Sequence, residues 1–348
     1  MRRVMRWGVG SGPWAGLDIG AWSVKLVALQ PGATRGRCAE ALIPRGATGD
    51  EPPSAAVLAG LVDDCMTRIE QSPRSFRGIS VGVSGPDVIV KQLSLPLMDD
   101  GEVAGALRYE ARKHLPFDVD SLVLDHQVLA RNLAERKLDV LLATVSQHRL
   151  DLALAPLRVL GVEAGIVDAA PLALANALGF AGARESADSD ARLLLDIGHR
   201  GSWLTLRQPG QPFFARRLDW GGAHLAQAVA SALDVPLERA EAWKAEPGAS
   251  LAHDGPEAAA ARQAVAVLGE ELRRSLAFYR TQALLPEGFT LRLAGGAARL
   301  SGLSDRLGEI LGLPVATFSP LDAHERGGRP AAGGPQYAQA YGLALRAA

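Results

Sequence analysis

Two aspartates at the ends of short apolar strands have the surroundings best suited to chemistry. Asp18 lies in GLDIGAWSVKL, which predicts a strand, a tight turn at Gly20 and a return strand that carries Lys25. Asp196 lies in a second copy, LLLDIG, which again runs into a polar turn and then a strand from Ser202. We expect the backbone N–H groups of each turn to be free, forming a concave nest that holds phosphate. Two such hairpins predict that a nucleotide binds between two similar lobes.

The charged residues of the two turns suggest how that nucleotide would be held. Asp18 and Asp196 could hold a hydrated Mg2+ against phosphate oxygens, because Mg2+ prefers hard oxygen ligands and keeps its waters. The alternative is that each aspartate only caps its own turn, and the repeat favours the metal site. Lys25 would bring positive charge to the β- or γ-phosphate; the alternative is a solvated lysine on a strand edge.

Small residues in the same turns could line the phosphates. Ser23 and Ser202 could donate hydrogen bonds to phosphate oxygens, although surface serines are too common for either to be specific alone. Gly20 and Gly198 permit a close approach between backbone and ligand, because glycine carries no side chain.

Two glycine pairs extend the candidate set into the second half of the chain. An apolar strand runs into Gly295, Gly296 and Ala297, an arrangement that suits close approach of a base or a ribose. The pair Gly221 and Gly222 opens a predicted helix. A glycine pair is more often a plain turn, but here the neighbouring predicted elements agree with a ligand.

Glu241 and Lys244 lie three residues apart on a predicted helix, so both side chains project from one face. They could bracket a ribose or an adenine edge; the equal alternative is an exposed ion pair that contributes little. The histidines and cysteines show no metal-ligand spacing and no arrangement of a nucleophile with a base. No residue is identified as a general base for water attack, so the chain is expected to bind nucleotide with at most weak ATPase activity.

Composition excludes several classes of function. The 348 residues are 48% hydrophobic and 22% charged, which is typical of a soluble globular protein too long for one core. The net charge of −1 offers no basic field for nucleic acid. No apolar run approaches the roughly 18 residues that span a bilayer. The basic start, MRRVMR, lacks the apolar core of a secretory signal, so we expect a cytoplasmic protein.

Hydrophobic periodicity predicts two related α/β lobes with insertions. Ser54 is expected to cap a helix that runs through Ile69, and a strand is expected at 162–168. The predicted boundaries are a flexible N-terminus at 1–13, a first lobe at 14–85 and 161–185, an inserted subdomain at 86–160, and a second lobe at 186–348 with a helical insertion at about 234–285.

Six blocks of sequence, taken in order, resemble the PilM family of type IV pilus assembly proteins, within the actin-like ATPase superfamily. They are GLDIGAWSVKLVAL, LSLPLMDDGEVAGALRYEARKHLPFDVDSLVLDHQVL, LLLDIG, RRLDWGGAHLAQAVA, LERAEAWK and LRLAGGAARLSGL. The resemblance covers nearly the whole chain, from about Ala15 to Leu345. The blocks together are much more specific than any one of them.

The resemblance implies an α/β, actin-like (ribonuclease H-like) duplicated two-lobe fold with an FtsA-type inserted subdomain. It also implies ATP and Mg2+ between the lobes and a cytoplasmic place at the inner membrane, reached through partners. PilM-like proteins bind the cytoplasmic N-terminal peptide of PilN and so join the pilus inner-membrane alignment complex. Carried over by position, the nucleotide set is Asp18, Gly20, Ser23, Lys25, Asp196, Gly198, Gly221, Gly222, Glu241, Lys244, Gly295 and Gly296.

The resemblance places the PilN peptide in a groove between the first lobe and the inserted subdomain. Apolar candidates for that contact are weak, and their alternative as core residues is favoured; they are Leu95, Leu97, Met98 and Phe117. The chain departs from the family pattern at Trp22, which is bulky where small or hydroxyl residues are usual, and at His199 and Arg200, which make the second turn more basic.

Three related functions are alternatives to a nucleotide-dependent pilus scaffold. An FtsA-like cell-division protein would carry a C-terminal amphipathic membrane helix, which we do not expect because the sequence ends directly after its last predicted helix. A GspL-like type II secretion component would need a following transmembrane segment, and the sequence has none. A sugar kinase would need a substrate-facing catalytic aspartate in the first lobe, and none can be placed.

Overall fold

The computed structural model describes most of the chain. The described residues are 12–30, 36–44, 53–115, 118–182, 192–208, 213–282, 285, 288–321 and 333–346. The strands are β1 Trp14–Ile19, β2 Ser23–Leu29, β3 Gly36–Leu42, β4 Gly78–Val83, β5 Ile89–Pro96, β6 Leu122–Asn132, β7 Lys137–Ser146, β8 Ile166–Ala169, β9 Arg192–Ile197, β10 Ser202–Arg207, β11 Phe214–Leu218, β12 Leu291–Ala294 and β13 Val315–Thr317. The helices are α1 Ala55–Arg68, α2 Asp100–His114, α3 Gln147–Leu160, α4 Ala170–Gly182, α5 Gly222–Leu233, α6 Leu237–Ala245, α7 Pro256–Thr281, α8 Leu303–Leu311 and α9 Ala338–Leu345.

Two five-stranded sheets repeat one topology. The first has the order β3-β2-β1-β4-β8 and the second has the order β11-β10-β9-β12-β13. In each sheet the first three strands are antiparallel, and the remaining two run parallel to the central strand. We call the parts built on these sheets the first and second lobes. Their shared topology confirms the internal duplication predicted from the two Asp-Ile-Gly motifs.

A third, antiparallel sheet of order β5-β7-β6 lies between β4 and α3 in the chain. Helix α2 packs on it through Val103, Leu107 and Ala111, which are at most 2% exposed and lie at the predicted four-residue spacing. Asp99 and Glu102 form a capping box at the start of the helix, which satisfies N–H groups that lack partners within the helix. We call the sheet with α2 the inserted subdomain. Helix α3, which follows it in the chain, packs through Leu157 on the core of the first lobe; the limits of the subdomain at 86–160 stay a prediction.

Helices α4 and α9 lie between the two large sheets and belong to a core that both lobes share. Two glycines permit this packing, because a side chain would collide with backbone. A Cβ on Gly16 of β1 would lie 1.9 Å from the Ala340 carbonyl oxygen, and one on Gly342 of α9 would lie 1.8 Å from that of Ala173. The last helix is therefore pressed against both the first sheet and α4.

The capping residue predicted the start of α1 correctly, whereas one strand begins later than predicted. The Ser54 hydroxyl accepts the Val57 N–H at 3.3 Å, as predicted, and α1 follows. The strand expected at 162–168 begins only at Ile166. Gly161 ends α3 in the left-handed conformation (φ 69°), and the Val162 N–H donates to Leu157 at 2.9 Å, so the chain is still closing the helix there.

The longest helix, α7, has 26 residues and buries a face of alanines and leucines against the second lobe. Its other positions include several glutamates and arginines. Across the described ranges, no helix combines the length and the apolar run needed to cross a membrane.

Candidate functional site

The first turn places a buried ion pair at the edge of the first lobe. Asp18 and Lys25 are cross-strand partners in β1 and β2, and the Lys25 ammonium lies 3.3 Å from the Asp18 carboxylate. Their side chains are only 12% and 10% exposed. The amide of Gln339, in α9, donates to the other carboxylate oxygen of Asp18 at 2.9 Å. Lys25 is thus a buried charge with partners, and the alternative of a solvated lysine on a strand edge is excluded.

Three carboxylates influence the charge of the Lys25 ammonium. Burial alone would lower its pKa, but Asp18, Glu40 and Asp196 together raise the pKa above its usual value. Lys25 therefore stays charged at any physiological pH. A fixed positive charge at this position can bind an anion that approaches the turn.

Asp196 of the second turn is shifted towards its uncharged form, whereas Lys25 is held in its charged form. Burial, and then repulsion from Asp18, raise its pKa to about 7, although the charge of Lys25 opposes the shift. The electrostatic effects among Asp18, Lys25 and Asp196, together with a ring contact between Trp22 and His199, place the two turns close to each other. We call the region between the two turns the cleft. The structure brings together the two aspartates that the repeat predicted as a pair.

The hydrogen-bonding groups of the turns are already engaged within the protein, contrary to expectation. The Gly20 N–H donates to the Ser23 carbonyl at 3.0 Å, and the Gly198 N–H donates to the Gly201 carbonyl at 3.1 Å. The prediction that the turn N–H groups are free is wrong for these two glycines, because each N–H closes its own hairpin.

The two serines are buried and donate to protein acceptors. Ser23, 1% exposed, donates to a Glu40 carboxylate oxygen at 2.6 Å. Ser202 is fully buried and donates to the Trp220 carbonyl. A phosphate contact by either hydroxyl stays a prediction, and it would require that hydroxyl to leave its present acceptor.

The candidates of the second lobe converge on the second turn. The Gly222 N–H donates to the Gly198 carbonyl at 2.9 Å. A Cβ on Gly222 would lie 3.6 Å from both the Lys244 ammonium and the Ala297 Cβ. The Lys244 ammonium contacts the Gly222 carbonyl and lies 2.7 Å from the Glu241 carboxylate. Glu241 is 5% exposed, so the alternative of an exposed ion pair is wrong.

Three of the candidate glycines differ in how much space a side chain would have. A Cβ on Gly221 would lie 2.5 Å from the His199 carbonyl oxygen. Gly295 adopts φ +88°, and a Cβ there would lie 2.4 Å from the Ile197 carbonyl oxygen, so only glycine fits between β9 and β12. A Cβ on Gly296 would meet no atom within 4 Å, so the protein itself does not require glycine at that position.

Trp22 contacts two elements of the opposite lobe. Its indole ring lies 4.8 Å from the His199 ring between centroids, at an angle of 45°. The Lys244 ammonium lies 5.8 Å from the centre of the same indole. The residue that departs most from the family pattern therefore links the first turn to the second turn and to α6.

Two site residues were not identified from the sequence. Glu40 accepts from Ser23, raises the pKa of Lys25 and lies 3.7 Å from Arg299 in the second lobe. Gln339 binds Asp18 across 321 positions of chain. A polar residue in the apolar run AQAYGLAL was the available signal for Gln339, whereas Glu40 had none.

The candidates for contact with the partner differ in how deeply they are buried. Leu95 is 4% exposed and belongs to the core of the inserted subdomain, so it is not available on its surface. Leu97 and Met98 are partly buried against that core, and their partner role stays a prediction. Phe117 lies outside the described residues. Within the described part of the chain, no cluster of three or more His, Cys, Asp or Glu side chains is suited to a metal ion.

The duplicated sheets, with two acidic turns facing across one cleft, define an actin-like protein. The family of type IV pilus assembly protein PilM matches residues 16–348. The chain belongs to that family, which confirms the resemblance seen in the sequence blocks.

Two solved structures have the same fold over almost the whole chain. One belongs to a PilM-PilN type IV pilus biogenesis complex; its chain is 27% identical, with a TM-score of 0.79, and the match covers 97% of this chain and 99% of that chain. The other is the ethanolamine utilization protein EutJ from Carboxydothermus hydrogenoformans, 14% identical with a TM-score of 0.55, covering 97% of this chain and 90% of that chain. The second likeness concerns the fold alone. Together with the sheet topology, they confirm the predicted actin-like fold class.

Proposed function

We propose that the protein is an ATP-binding cytoplasmic scaffold of type IV pilus assembly, which binds the N-terminal peptide of PilN at the inner membrane. The observation that carries the proposal is the cleft in which Asp18, Lys25 and Asp196 meet, in a chain of the PilM family. The solved PilM-PilN complex supports PilN as the partner. The protein would reach the membrane through that partner.

The nucleotide would lie across both turns. Lys25 is the cation that would meet the phosphates, since its position among carboxylates keeps it charged. Glu241 and Lys244, a buried pair beside Gly222, would bracket the ribose or the base. A Cβ on Gly296 would meet no atom within 4 Å, and this open space suits close approach of the ligand.

The two facing aspartates fit a hydrated Mg2+. Their carboxylates repel each other enough to contribute to the raised pKa of Asp196, and a divalent cation between them would relieve that repulsion. Asp18 already accepts from Lys25 and Gln339, so its contact would run through water. Mg2+ when bound would neutralise phosphate charge, and Asp196 would have to lose its proton to contribute.

Nucleotide would regulate partner binding by changing how the lobes close. The inserted subdomain contacts both lobes: its residues Val88, Val90 and Val145 share a core with Leu194 and Trp203 of the second lobe. A ligand that favours one closure of the lobes shifts the population of that state. The PilN peptide would sense this state in the groove between the first lobe and the inserted subdomain.

Calorimetric titration with a synthetic PilN N-terminal peptide tests the scaffold, with and without Mg-ATP. We expect binding, with an affinity that differs between the two conditions. A scrambled peptide of the same composition is the control. Absence of binding in both conditions would overturn the scaffold role.

The nucleotide site is tested separately by titration with ATP. Asp18→Ala and Lys25→Ala should each weaken ATP binding at least tenfold in protein that retains its circular dichroism spectrum. Lys113→Ala, at a lysine paired with Glu110 on the exposed face of α2, should leave ATP binding unchanged. Unaltered affinity in both cleft variants would refute the site assignment.

A further inference from the structure

The cross-lobe contact of Trp22 joins parts of the molecule that are individually fixed. The Ile43 N–H donates to the Trp22 carbonyl at 3.0 Å, which holds the Trp22 backbone to the first lobe. The Ala223 N–H donates to the His199 carbonyl at 2.8 Å, which holds the second turn to the start of α5. Lys244 is held by Glu241. The contact between the lobes is made by side chains, so it can open without breaking either of these backbone hydrogen bonds.

The indole lies between the residues proposed to hold the nucleotide. It extends from the first turn to His199 of the second turn and to Lys244 of α6. The phosphates of the proposed ligand lie against both turns, and its ribose or base lies beside Glu241 and Lys244. Trp22 is partly exposed, so its side chain is in contact with solvent.

We propose that Trp22 is the gate of the nucleotide cleft, and that its contacts with His199 and Lys244 set the rates at which nucleotide enters and leaves. This inference rests on the proposed nucleotide binding. A gate has to open for entry and for exit alike, so removing it accelerates both steps and changes the equilibrium affinity little. A residue that contacts the bound ligand would instead slow dissociation only.

Stopped-flow fluorescence with N-methylanthraniloyl-ATP and Mg2+ measures both rates directly. For Trp22→Ser we expect the association and dissociation rates each to rise roughly threefold to tenfold, the factor corresponding to the free energy of an aromatic pair. The dissociation constant should stay within about twofold. His199→Ala should have a similar effect, Trp22→Phe should restore most of the wild-type rates, and Gln127→Ala, at an exposed position of β6, should change neither rate.

The outcomes separate the gate from the nucleotide site itself. If the wild-type protein binds the fluorescent nucleotide and Trp22→Ser leaves both rates unchanged, the gate is refuted and the nucleotide site stands. A faster dissociation with unchanged association would also refute it, because the indole would then be a ligand contact. If the wild-type protein does not bind the nucleotide, the proposed function fails and the gate fails with it.

Discussion

The two turns of the cleft have the same backbone arrangement but differ in the residue that faces the aspartate. In the first, Asp18 is the cross-strand partner of Lys25. In the second, Asp196 is the cross-strand partner of Trp203. The first carboxylate is paired with a cation within its own hairpin, whereas the pKa of the second is raised to about 7. Duplication therefore preserved the position of the acid and changed the residue that faces it.

The difference indicates that the second hairpin also binds the first lobe outside the cleft. The indole N–H of Trp203 donates to the Ser84 hydroxyl of the first lobe at 3.0 Å. Ser84 follows β4 and directly precedes the inserted subdomain, and its carbonyl accepts from Arg149 of α3 at 3.3 Å. Where the first hairpin has Lys25, which we propose binds the ligand, the second has an aromatic residue, Trp203, that is hydrogen-bonded to the first lobe.

The largest expected effect comes from removing the cation of the first turn. Lys25→Met leaves Asp18, Glu40 and Asp196 near one another without a positive charge, and breaking a buried pair costs about 3–5 kcal/mol. We expect the free energy of unfolding, measured by urea denaturation at pH 8, to fall by about 3 kcal/mol or more. The loss should be smaller at pH 5, where protonated carboxylates repel less.

The matched control for that variant is Lys113→Met. Lys113 also pairs with a carboxylate, Glu110 at 2.8 Å, but its side chain is 54% exposed. An exposed pair contributes little to stability, so this variant should lose far less than Lys25→Met. Equal losses in the two variants would contradict the assignment of Lys25 as a buried, functional charge.

The second prediction concerns the acid of the second turn. Because the pKa of Asp196 is about 7 in the folded protein and about 4 in an unfolded chain, the folded state holds an extra proton between these values. The free energy of unfolding therefore falls as pH rises from about 4 to about 7. Asp196→Asn removes this dependence, so its stability relative to wild type should increase by about 2 kcal/mol between pH 5 and pH 8, after allowance for solvent screening.

Chemical denaturation of both proteins at a series of pH values gives this difference. Asp168, whose pKa burial raises to about 6, contributes a slope of the same sign to both proteins and cancels. A relative stability of the variant that does not change with pH would show that Asp196 is ionised throughout, as an ordinary exposed aspartate would be.

Residues that act within their own hairpin or helix were predictable from the sequence. The repeated motif around Asp18 and Asp196 predicted the duplicated sheets. The alternation of apolar and polar residues around each aspartate predicted the strands. The helix start at Ser54 followed from a single capping residue. These features depend on contacts between near neighbours, and local sequence is sufficient to specify such contacts.

Residues that act between distant segments were not predictable. Gln339 reaches Asp18 from α9, and Glu40, on a neighbouring strand, accepts from Ser23 and raises the pKa of Lys25. Side-chain direction decides such contacts, and only tertiary packing fixes that direction. The same reason explains why Ser23 and Ser202, expected to face a phosphate, donate to Glu40 and to a backbone carbonyl instead.

The third prediction tests the structural task of the second hairpin. Trp203→Phe keeps a ring in the core but removes the N–H that Ser84 accepts, so stability should fall by about 1–2 kcal/mol. In a double-mutant cycle with Ser84→Ala the coupling energy should be about 1 kcal/mol. Trp220→Phe, at a tryptophan equally buried within the second lobe, should be additive with Ser84→Ala. Additivity for Trp203 as well would show that the bond does not tie the hairpin to the first lobe.

The smallest effect is expected at the ion pair that links Glu40 of the first lobe to Arg299 beside the glycine pair of the second. The two groups lie 3.7 Å apart, and the arginine side chain is 60% exposed, so Arg299→Ala should cost less than about 0.5 kcal/mol. Arg274→Ala is the control, because Arg274 also lies 3.7 Å from a glutamate, Glu271, but within one helix. The two variants should be indistinguishable in urea denaturation, and both differences should vanish in 1 M salt, where the screening length is about 3 Å. A loss above about 1 kcal/mol for Arg299→Ala alone would mean that closure of the lobes depends on this pair, and that the first turn is linked to the second lobe by charge as well as by Trp22.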